Sequence, residues 1–495
     1  MKKLHKFPAS IILGSAAIIA AAETCPQPAV EIEIKIYPDR LIRSNLNKEL
    51  FGFNAPWPDF QMGYFRNGTV RPEVIEWLKP FKDAVYRYSL GTDWTAAVGQ
   101  ASKRPNILLD YGQKAKAEFG IDEFSEFVKK VDGKALFIIN MNGEYKEGPG
   151  SGAIKENTLG LMKYIKDESR FRCVGGPGCR VLAWELGNEM DFPPSKWTAE
   201  KYSEQALEIV QAASPIYPEI KWIANGKTAP WDTRSIGYQK FNKKIAEKLA
   251  NKVVGIAIHP YYDGISVPDA MSYVSKYAST WHEARTDAEV YVTEHARWPA
   301  MPKTGKWQDN WYMTTNIDGA ISTADFMLAM LDEKSIRNAN WHGLSANGPW
   351  QLFSWDRTSD VLRPTPLYWA LRKMRESFLD DMIAVEYQQP ERPAYYGGYD
   401  IRIVGMKSTD GKILSINGVN RSNSNLKTNI KIVGKPNGVG NEGWEIASVS
   451  GDSNAGENEI YSPPPKKNKE QIDQSKELCI SARSVFSMTK HEVIK

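Results

Sequence analysis

The stretch Val181-Leu182-Ala183-Trp184-Glu185-Leu186-Gly187-Asn188-Glu189 decides the fold, because it is a short apolar run that ends in polar residues. Such a run is typical of a strand in a repeated β/α unit. Seven more runs of this kind lie between about residues 50 and 380. The eight predicted strands are Leu50–Asn54, Val85–Leu90, Ala135–Asn142, Val181–Glu189, Lys221–Gly226, Val253–Tyr262, Val290–His295 and Asn338–Leu344.

Amphipathic stretches of helical length separate these strands. The predicted helices are Pro72–Lys79, Asp122–Val131, Ala199–Ala213, Lys240–Asn251, Pro268–Ala284 and Asp318–Leu331. Eight β/α units in this length predict an α/β fold, a (β/α)₈ TIM barrel with long loops.

A different pattern follows the helix predicted at Leu367–Ser377. Alternating residues and Asn/Gly/Ser turns predict an all-β sandwich with strands at Ile401–Met406, Lys412–Asn420, Leu426–Val433 and Trp444–Val449. Val30–Tyr37 also alternates strictly and has no partner in the barrel, so we expect it to join this sandwich. The predicted organisation is a signal peptide at 1–22, an N-terminal strand segment at 23–45, a catalytic barrel at 46–380 and a β-sandwich at 381–495. Residues 452–476 are predicted to be a surface loop of the sandwich.

The composition fits a water-soluble globular protein, with 42% hydrophobic residues, 25% charged residues and a mean hydropathy of −0.45 over 495 residues. The net charge of +4 is too small to favour nucleic acid as a partner. The chain is rich in flat amphipathic rings, with 16 Trp and 22 Tyr.

The first 22 residues have the layout of a secretory signal peptide. Lys2, Lys3 and Lys6 precede an apolar run from Ile11 to Ala22, which ends in a small-residue cleavage site. The alternative, a membrane anchor, needs about 20 apolar residues, and this run is shorter. We therefore expect a secreted or periplasmic protein that is free of the membrane after cleavage and almost neutral.

The four cysteines suggest two disulfides, which export would permit. Cys173 and Cys179 flank a turn-forming Val-Gly-Gly-Pro-Gly stretch that can bring them within bonding distance. Cys25 and Cys479 are paired by elimination, and that bond requires both chain ends to belong to one module. Two free thiols are the alternative. A metal site is disfavoured, because neither pair has a two-residue spacing or a nearby histidine.

Two glutamates end predicted barrel strands, where the reactive groups of a barrel lie. Glu189 follows the fourth strand and Glu294 the seventh, and their spacing of 105 residues agrees with three β/α units of about 31–35 residues. Two carboxylates across a barrel mouth are what glycoside hydrolysis needs, with Glu294 as nucleophile and Asn188 as a ligand for a sugar hydroxyl. The alternative is that both are solvated charges at the starts of loops.

Other polar and aromatic residues fall at the same end of the predicted barrel. Parity on the sixth strand points His259 into the mouth with Tyr261 two residues further, and we expect His259, Tyr261 or Tyr262 to bond Glu294. Asn140 and Asn142 are candidates for sugar hydroxyls or for loop capping. The candidate stacking platforms for sugar rings are Trp57, Trp94, Trp231, Trp298 and Trp350 in loops, and Trp341 on the eighth strand.

These motifs resemble those of clan A glycoside hydrolases, and within that clan the α-L-arabinofuranosidases of glycoside hydrolase family 51. The matching stretches are Gly187-Asn188-Glu189, the seventh-strand glutamate, His259-x-Tyr261, Tyr86-Arg87-Tyr88, Leu186–Asp191, Val361–Thr365 and Ile416–Ser422. The resemblance implies a retaining mechanism with Glu189 as acid/base, Glu294 as nucleophile and Arg87 placed to keep Glu294 ionised. The residues alone also allow a structural ion pair between Arg87 and Glu185.

The sequence departs from the family at two places near the glycone. The family usually has Pro-Gly-Gly-Asn after the second-strand tyrosine, where this chain has Ser89-Leu90-Gly91-Thr92-Asp93. The family nucleophile usually follows Asp and precedes Trp, whereas Thr293 and His295 flank Glu294. These differences leave retaining hydrolysis intact and bear on the choice of sugar.

We therefore predict a secreted retaining glycoside hydrolase for plant or algal polysaccharides or oligosaccharides, with an exo-acting α-L-arabinofuranosidase as the leading hypothesis. The alternatives are another clan A glycosidase, such as an endo-acting agarase, glucanase or glucuronidase-like enzyme, and an inactive carbohydrate-binding protein. Carbohydrate is the expected partner, and no cofactor or metal is expected. No Gly-x-Gly-x-x-Gly opens a helix, which disfavours a dehydrogenase.

Overall fold

The computed structural model describes residues 25–55, 63–66, 68–89, 93–108, 114–141, 154–192, 196–228, 238–263, 266–299, 307–345, 348–388, 399–434, 443–451 and 478–491. The predicted signal peptide and the predicted surface loop at 452–476 lie outside these residues. No helix within the described part of the chain is long and apolar enough to cross a membrane.

The described strands, in chain order, are β1 Ala29–Arg43, β2 Gly52–Ala55, β3 Phe65–Arg66, β4 Thr69–Val70, β5 Val85–Ser89, β6 Asn106–Leu108, β7 Lys114–Lys116, β8 Lys134–Ile138, β9 Val181–Leu186, β10 Trp222–Asn225, β11 Gly255–Ala257, β12 Tyr261–Tyr262, β13 Glu289–Arg297, β14 Ile336–Trp341, β15 Phe353–Asp356, β16 Val361–Pro364, β17 Asp381–Tyr387, β18 Ile401–Lys407, β19 Ile413–Asn420, β20 Asn425–Ile432, β21 Trp444–Ser450, β22 Leu478–Ile480 and β23 Ser484–His491. The α-helices are α1 Pro72–Leu78, α2 Ile121–Lys130, α3 Ile154–Asp167, α4 Ala199–Ala213, α5 Tyr238–Leu249, α6 Val267–Ala284, α7 Ile317–Met330 and α8 Pro366–Glu376.

Eight parallel strands close into a barrel. Their order is β2-β5-β8-β9-β10-β11-β13-β14, and β14 pairs with β2 to complete the ring. Each of the eight strands predicted from the sequence corresponds to one of these, so the predicted TIM barrel is confirmed. The interior is closed by fully buried side chains from six consecutive strands, Val85, Leu136, Ala183, Ile223, Ala257 and Tyr291. The barrel is therefore a packed core and not an open channel.

Six predicted barrel helices and the predicted helix after the barrel appear within two residues of their predicted ends. Side-chain caps explain several helix starts. Thr198, Ser266, Asn316 and Thr365 each accept a backbone N–H of the following turn. Helix α3 is not among the helices predicted from the sequence.

The second module is a mixed sheet in the order β21-β23-β19-β18-β17-β1-β20-β22. The N-terminal strand β1 lies inside it, parallel to β20 and antiparallel to β17. This confirms that the first strand belongs to the C-terminal β module. Its alternation explains the placement, because Ile32, Ile34 and Ile36 point into a separate core of this module. Strands β17, β22 and β23 were not predicted.

Both predicted cysteine pairs are joined. Cys25 bonds Cys479 with an S–S distance of 2.02 Å, and Cys173 bonds Cys179 at 2.09 Å. The first bond ties the start of the described chain to β22 beside β20. The bond therefore links the N-terminal segment to the last strands of the β module.

Helix α7 joins the two modules. Every residue of α7 except Asp318 is buried, including the charged Asp325. Arg402 and Arg421 of the β module both contact the Asp325 carboxylate, the second with Nη2 to Oδ2 at 3.0 Å. Buried charges need such partners, so this ion pair ties the β module to the barrel.

Candidate active site

The two candidate carboxylates meet at the mouth of the barrel. Glu189 follows β9 and Glu294 lies near the end of β13, so both stand where parallel strands end. One carboxylate oxygen of each, together with one ring nitrogen of His259, forms a group of atoms that all lie within 4.8 Å of one another. The side chains of Glu189 and Glu294 are 25% and 13% exposed. Both carboxylates are therefore open to a ligand from the mouth.

The loop that carries Glu189 is bent by left-handed backbone. Gly187 has φ +86°, and a Cβ there would lie 2.7 Å from Met190 Sδ. Glu189 itself has φ +46°, an uncommon value for a residue with a side chain. Strain of this kind persists only where the surroundings hold it in place.

The end of β10 and the loop that follows it supply this support. Asn225 Oδ1 accepts the Met190 N–H at 3.0 Å. Asp191, the next residue but one after Glu189, accepts Lys227 Nζ at 2.6 Å and the Thr228 backbone N–H at 2.9 Å. These bonds hold Glu189 toward the barrel mouth.

Glu294 is positioned by an irregularity in its strand. The pairing of β13 with β14 shifts register between Val292 and His295, so strict alternation breaks at that point. As a result Thr293 and Glu294 both contact groups inside the barrel. Thr293 Oγ1 donates to Glu185 Oε1 at 3.2 Å, and it lies 3.1 Å from His259 Nε2.

Arg87 on β5 connects both carboxylate sites. Its guanidinium binds Glu185 in a bidentate pair, with Nε to Oε2 at 2.6 Å and Nη2 to Oε1 at 3.0 Å. Nη2 also donates to Asn188 Oδ1 at 2.6 Å, and Nη1 lies 3.5 Å from Glu294 Oε2. Both roles considered for Arg87, the ion pair with Glu185 and the approach to Glu294, are present at once. Because the Asn188 oxygen binds Arg87, its amide nitrogen is the group left to meet a ligand.

His259 contacts Glu189 rather than Glu294. Its Nδ1 lies 3.0 Å from Glu189 Oε1, and its ring is buried. Burial alone would lower the pKa of His259, but the negative charge of Glu294 and the hydrogen bond with Glu189 outweigh it and raise the pKa. His259 therefore takes up a proton more readily than an isolated imidazole, in a position close to both carboxylates.

Tyr261 is the residue of the predicted trio that binds Glu294. Its hydroxyl donates to Glu294 Oε1, whereas Tyr262 turns away to Thr323 and His295. His342 Nε2 lies 3.2 Å from the same oxygen of Glu294. Burial alone would raise the pKa of Glu294, but the positive charges of His342, His259 and Arg87 hold it well below its usual value. Glu294 is therefore kept ionised, as a nucleophile requires.

An aromatic wall, made of Tyr261, Trp298 and Trp350, stands beside Glu294. The Tyr261 ring lies 5.4 Å from the Trp298 ring and 5.1 Å from the Trp350 ring, and the two indoles are 5.5 Å apart. Trp298 and Trp350 are therefore the predicted platforms that the structure brings to the site. Trp94 instead packs against Tyr164 of α3. Trp57 and Trp231 lie outside the described residues.

The prediction that Trp341 contacts substrate is wrong. Its side chain is 1% exposed and packs in the core beside His295, on the face of β14 that points away from the barrel interior. The neighbouring His342 occupies the site instead, because adjacent strand residues face opposite sides. Asn140 is half-buried just beyond β8, and Asn142 lies outside the described residues.

Sequence reasoning missed four residues of this site: His342, Thr293, Asn225 and Asp191. Parity counted from Asn338 and Asn340, whose amides bond backbone carbonyls inside the barrel, is the signal that would have found His342. Asn225 ends β10, and a search of every strand end for polar residues would have found it.

The donor atoms of Glu189, His259 and Glu294 are also close enough to share a metal ion. Nitrogen atoms of other side chains already contact these carboxylates, however, with His259 on Glu189 and both Arg87 and His342 on Glu294. A divalent cation would have to compete with Arg87 and His342 for Glu294. The arrangement suits a pair of reacting carboxylates better than a metal centre.

Residues 86–262 match the family model of the alpha-L-arabinofuranosidase 1 domain. This segment includes Arg87, Glu189 and His259 and ends before Glu294. The chain resembles the arabinofuranosidases. No curated protein matches it.

Solved structures extend the likeness over the whole fold. A thermostable GH51 alpha-L-arabinofuranosidase from Thermotoga petrophila is 18% identical with a TM-score of 0.75, over 93% of this chain and 100% of that one. The alpha-L-arabinofuranosidase of Thermotoga maritima, solved as an arabinose complex, has the same identity and coverage with a TM-score of 0.72. A family 44 xyloglucanase from Paenibacillus polymyxa is 10% identical with a TM-score of 0.59, over 94% and 100% of the two chains. The predicted resemblance to family 51 glycoside hydrolases is thus confirmed, and the TM-scores of 0.75 and 0.72 establish the shared fold.

Proposed function

We propose that this protein is a secreted, retaining glycoside hydrolase that releases α-L-arabinofuranose from plant or algal polysaccharides or their oligosaccharides. The observation that carries the proposal is the approach of Glu189 and Glu294 at the barrel mouth, with oxygens within 4.8 Å. Retaining enzymes hold their two carboxyl groups about 5–5.5 Å apart, whereas inverting enzymes need about 6.5–9.5 Å to admit a water. The short separation favours retention.

In the first step Glu294 attacks the anomeric carbon, and the C–O bond to the leaving group breaks. Glu189 gives its proton to the departing oxygen, so that a glycosyl ester forms on Glu294 and an alcohol leaves. The ionised state of Glu294 follows from its positive neighbours. Tyr261 and Arg87 hold its two oxygens from different sides.

In the second step the Glu189 carboxylate takes a proton from water, and the resulting hydroxide attacks the anomeric carbon. The ester bond breaks, Glu294 is released as a carboxylate and Glu189 is protonated again. Two inversions give a product with the anomeric configuration of the substrate. His259 Nδ1, 3.0 Å from Glu189, orients the acid/base through both steps.

The choice of arabinofuranose rests on the family match over residues 86–262 and on how the departures near Glu294 are accommodated. Thr293 lies beneath the carboxylates, bonded to Glu185. His295 packs against Phe326 of α7, and burial lowers its pKa to about 3, so it is a neutral core residue. Both side chains are buried, with 0% and 1% exposed, so the two changes are compatible with an arabinofuranose site.

A panel of aryl glycosides and polysaccharides tests the proposal. We expect the mature protein to hydrolyse 4-nitrophenyl α-L-arabinofuranoside and to release arabinose from arabinan or arabinoxylan. Cleavage of a β-glucan or agarose without action on the furanoside would overturn the substrate and leave the mechanism standing. Absence of hydrolysis on the whole panel would support the inactive carbohydrate-binding alternative.

Two variants test the residue roles. Glu294→Ala should lose turnover on every substrate, and Glu189→Ala should lose it on polysaccharide but keep the first step on aryl glycosides with good leaving groups. Glu289→Gln is the matched control, because Glu289 begins the same strand at the opposite end of the barrel. Near-normal turnover of either active-site variant on a natural glycan would overturn the assignment.

A further inference from the structure

His342 directly follows β14 and reaches the candidate nucleophile. Its backbone N–H donates to the His295 carbonyl at 3.1 Å, which ties this position to β13. Its side chain is 30% exposed, and Nε2 lies 3.2 Å from Glu294 Oε1. His342 is therefore open to the barrel mouth and in contact with Glu294 at once.

The ring of His342 is held by stacking. The Trp350 ring lies 4.3 Å away with an interplanar angle of 27°, and Trp350 Nε1 donates to the Arg297 carbonyl at 2.9 Å. The Tyr261 ring lies 6.1 Å away on the aromatic wall. Because the indole is anchored, the imidazole plane is fixed and Nε2 stays directed at the carboxylate.

Three side chains therefore contact the Glu294 carboxylate. The Tyr261 hydroxyl and His342 Nε2 approach Oε1, and Arg87 Nη1 approaches Oε2 at 3.5 Å. Arg87 is shared with Glu185 and Asn188, whereas the contact of His342 within the site is with Glu294. A change at His342 therefore alters the contacts of Glu294 and leaves the ion pair between Arg87 and Glu185 in place.

We propose that His342 is a positioning residue that fixes the plane of the Glu294 carboxylate and favours its ionised form. The proposal rests on the function proposed above. It does not require His342 to exchange a proton with substrate, so the covalent steps remain those of Glu189 and Glu294.

The proposal predicts a pH effect with a definite sign. Among the described residues, the titratable groups that face Glu294 are Arg87, His259 and His342, which can carry positive charge, and Glu189, which can carry negative charge. Loss of His342 removes one positive neighbour, so the pKa of Glu294 must rise. Since the nucleophile acts when ionised, activity should then be lost at a higher pH as the solution is acidified.

The test compares His342→Phe, which keeps a flat ring against Trp350, with His342→Gln, which keeps a hydrogen-bond donor. His282→Gln is the control, because His282 lies in α6 and bonds the Ala288 carbonyl away from the site. The readouts are kcat and KM on an aryl glycoside and the pH dependence of kcat/KM. We expect His342→Phe to lower kcat about 10- to 100-fold with KM little changed, as for the loss of a hydrogen bond to a charged group.

We also expect the acidic limb of kcat/KM to move to higher pH in both variants and the Gln variant to regain part of kcat. An unchanged acidic limb and unchanged kcat in the Gln variant would overturn the proposal, even if the Phe variant fails to fold. Failure of the proposed function is a separate result, since it would appear as absence of hydrolysis by the parent protein or as full activity of the Glu294→Ala variant.

Discussion

The guanidinium of Arg87 lies 2.6 Å from the carboxylate of Glu185, with the two side chains 4% and 0% exposed. The pair anchors Arg87 so that its other nitrogens reach Asn188 and Glu294. A lysine in its place carries the same charge but only one nitrogen, and cannot make these contacts together.

Arg87→Lys should therefore lower kcat/KM by about 100-fold or more, because the Asn188 and Glu294 contacts are lost together. It should also destabilise the fold, because a buried Glu185 is left incompletely paired. Steady-state kinetics and thermal unfolding of the variant check both effects. Retention of near-normal kcat/KM would show that the contacts of Arg87 with the site have no catalytic weight.

The acidic limb of the parent enzyme should lie at unusually low pH. His342, His259 and Arg87 hold the pKa of Glu294 well below its usual value against the effect of burial. The ionised fraction of the nucleophile then falls only when the pH drops below the normal range of a glutamate, so kcat/KM should persist to that point. The measurement is kcat/KM against pH, with each sample returned to neutral pH and assayed again to separate titration from unfolding. A limb at or above the usual glutamate value would contradict this electrostatic account.

The two disulfides should differ in their effect on stability. Cys25 and Cys479 are separated by 454 residues, and Cys173 and Cys179 by 6. A cross-link restricts the unfolded chain more when its loop is longer, with a typical effect of about 2–4 kcal/mol. Replacing Cys25 and Cys479 by serine should lower Tm more than the same change at Cys173 and Cys179. Calorimetry of both double variants compares them, and a larger loss in the short-loop variant would refute this ranking.

The buried Asp325 should matter for stability and not for chemistry. It lies between Arg402 and Arg421, on the helix that joins the modules. Asp325→Ala leaves two arginines without their partner, which costs about 3–5 kcal/mol for a buried pair. Denaturant unfolding should show this loss while kcat at a low temperature stays near the parent value. A large fall in kcat of the folded variant would mean that the β module also shapes the active site.

The sequence was sufficient to predict the barrel and the positions of its two carboxylates. Apolar runs of strand length, each followed by an amphipathic stretch, located all eight barrel strands. Glu189 and Glu294 could be found because the functional groups of a barrel lie at strand ends, and strand ends can be located without knowing the loop conformations. The alternation of Ile32, Ile34 and Ile36 was likewise enough to place β1 in the β module.

What could not be predicted depends on local departures from regular strands. Alternation from Tyr291 places Thr293 inside the barrel, but only the register shift at Val292–His295 lets the adjacent Glu294 face the mouth as well. The left-handed backbone at Glu189 depends on contacts with Asn225, which is 36 positions further along the chain. Trp341 is a candidate platform by residue type, because an indole suits a sugar ring, but the parity of β14 buries it and directs His342 into the site.

The anomeric configuration of the first-formed product tests the central claim most directly. Proton NMR of early hydrolysis of an α-L-arabinofuranoside by the parent protein should show the α-anomer before mutarotation, because Glu294 and Glu189 act by double displacement. First release of the β-anomer would contradict the account, since inversion excludes a glycosyl ester on Glu294.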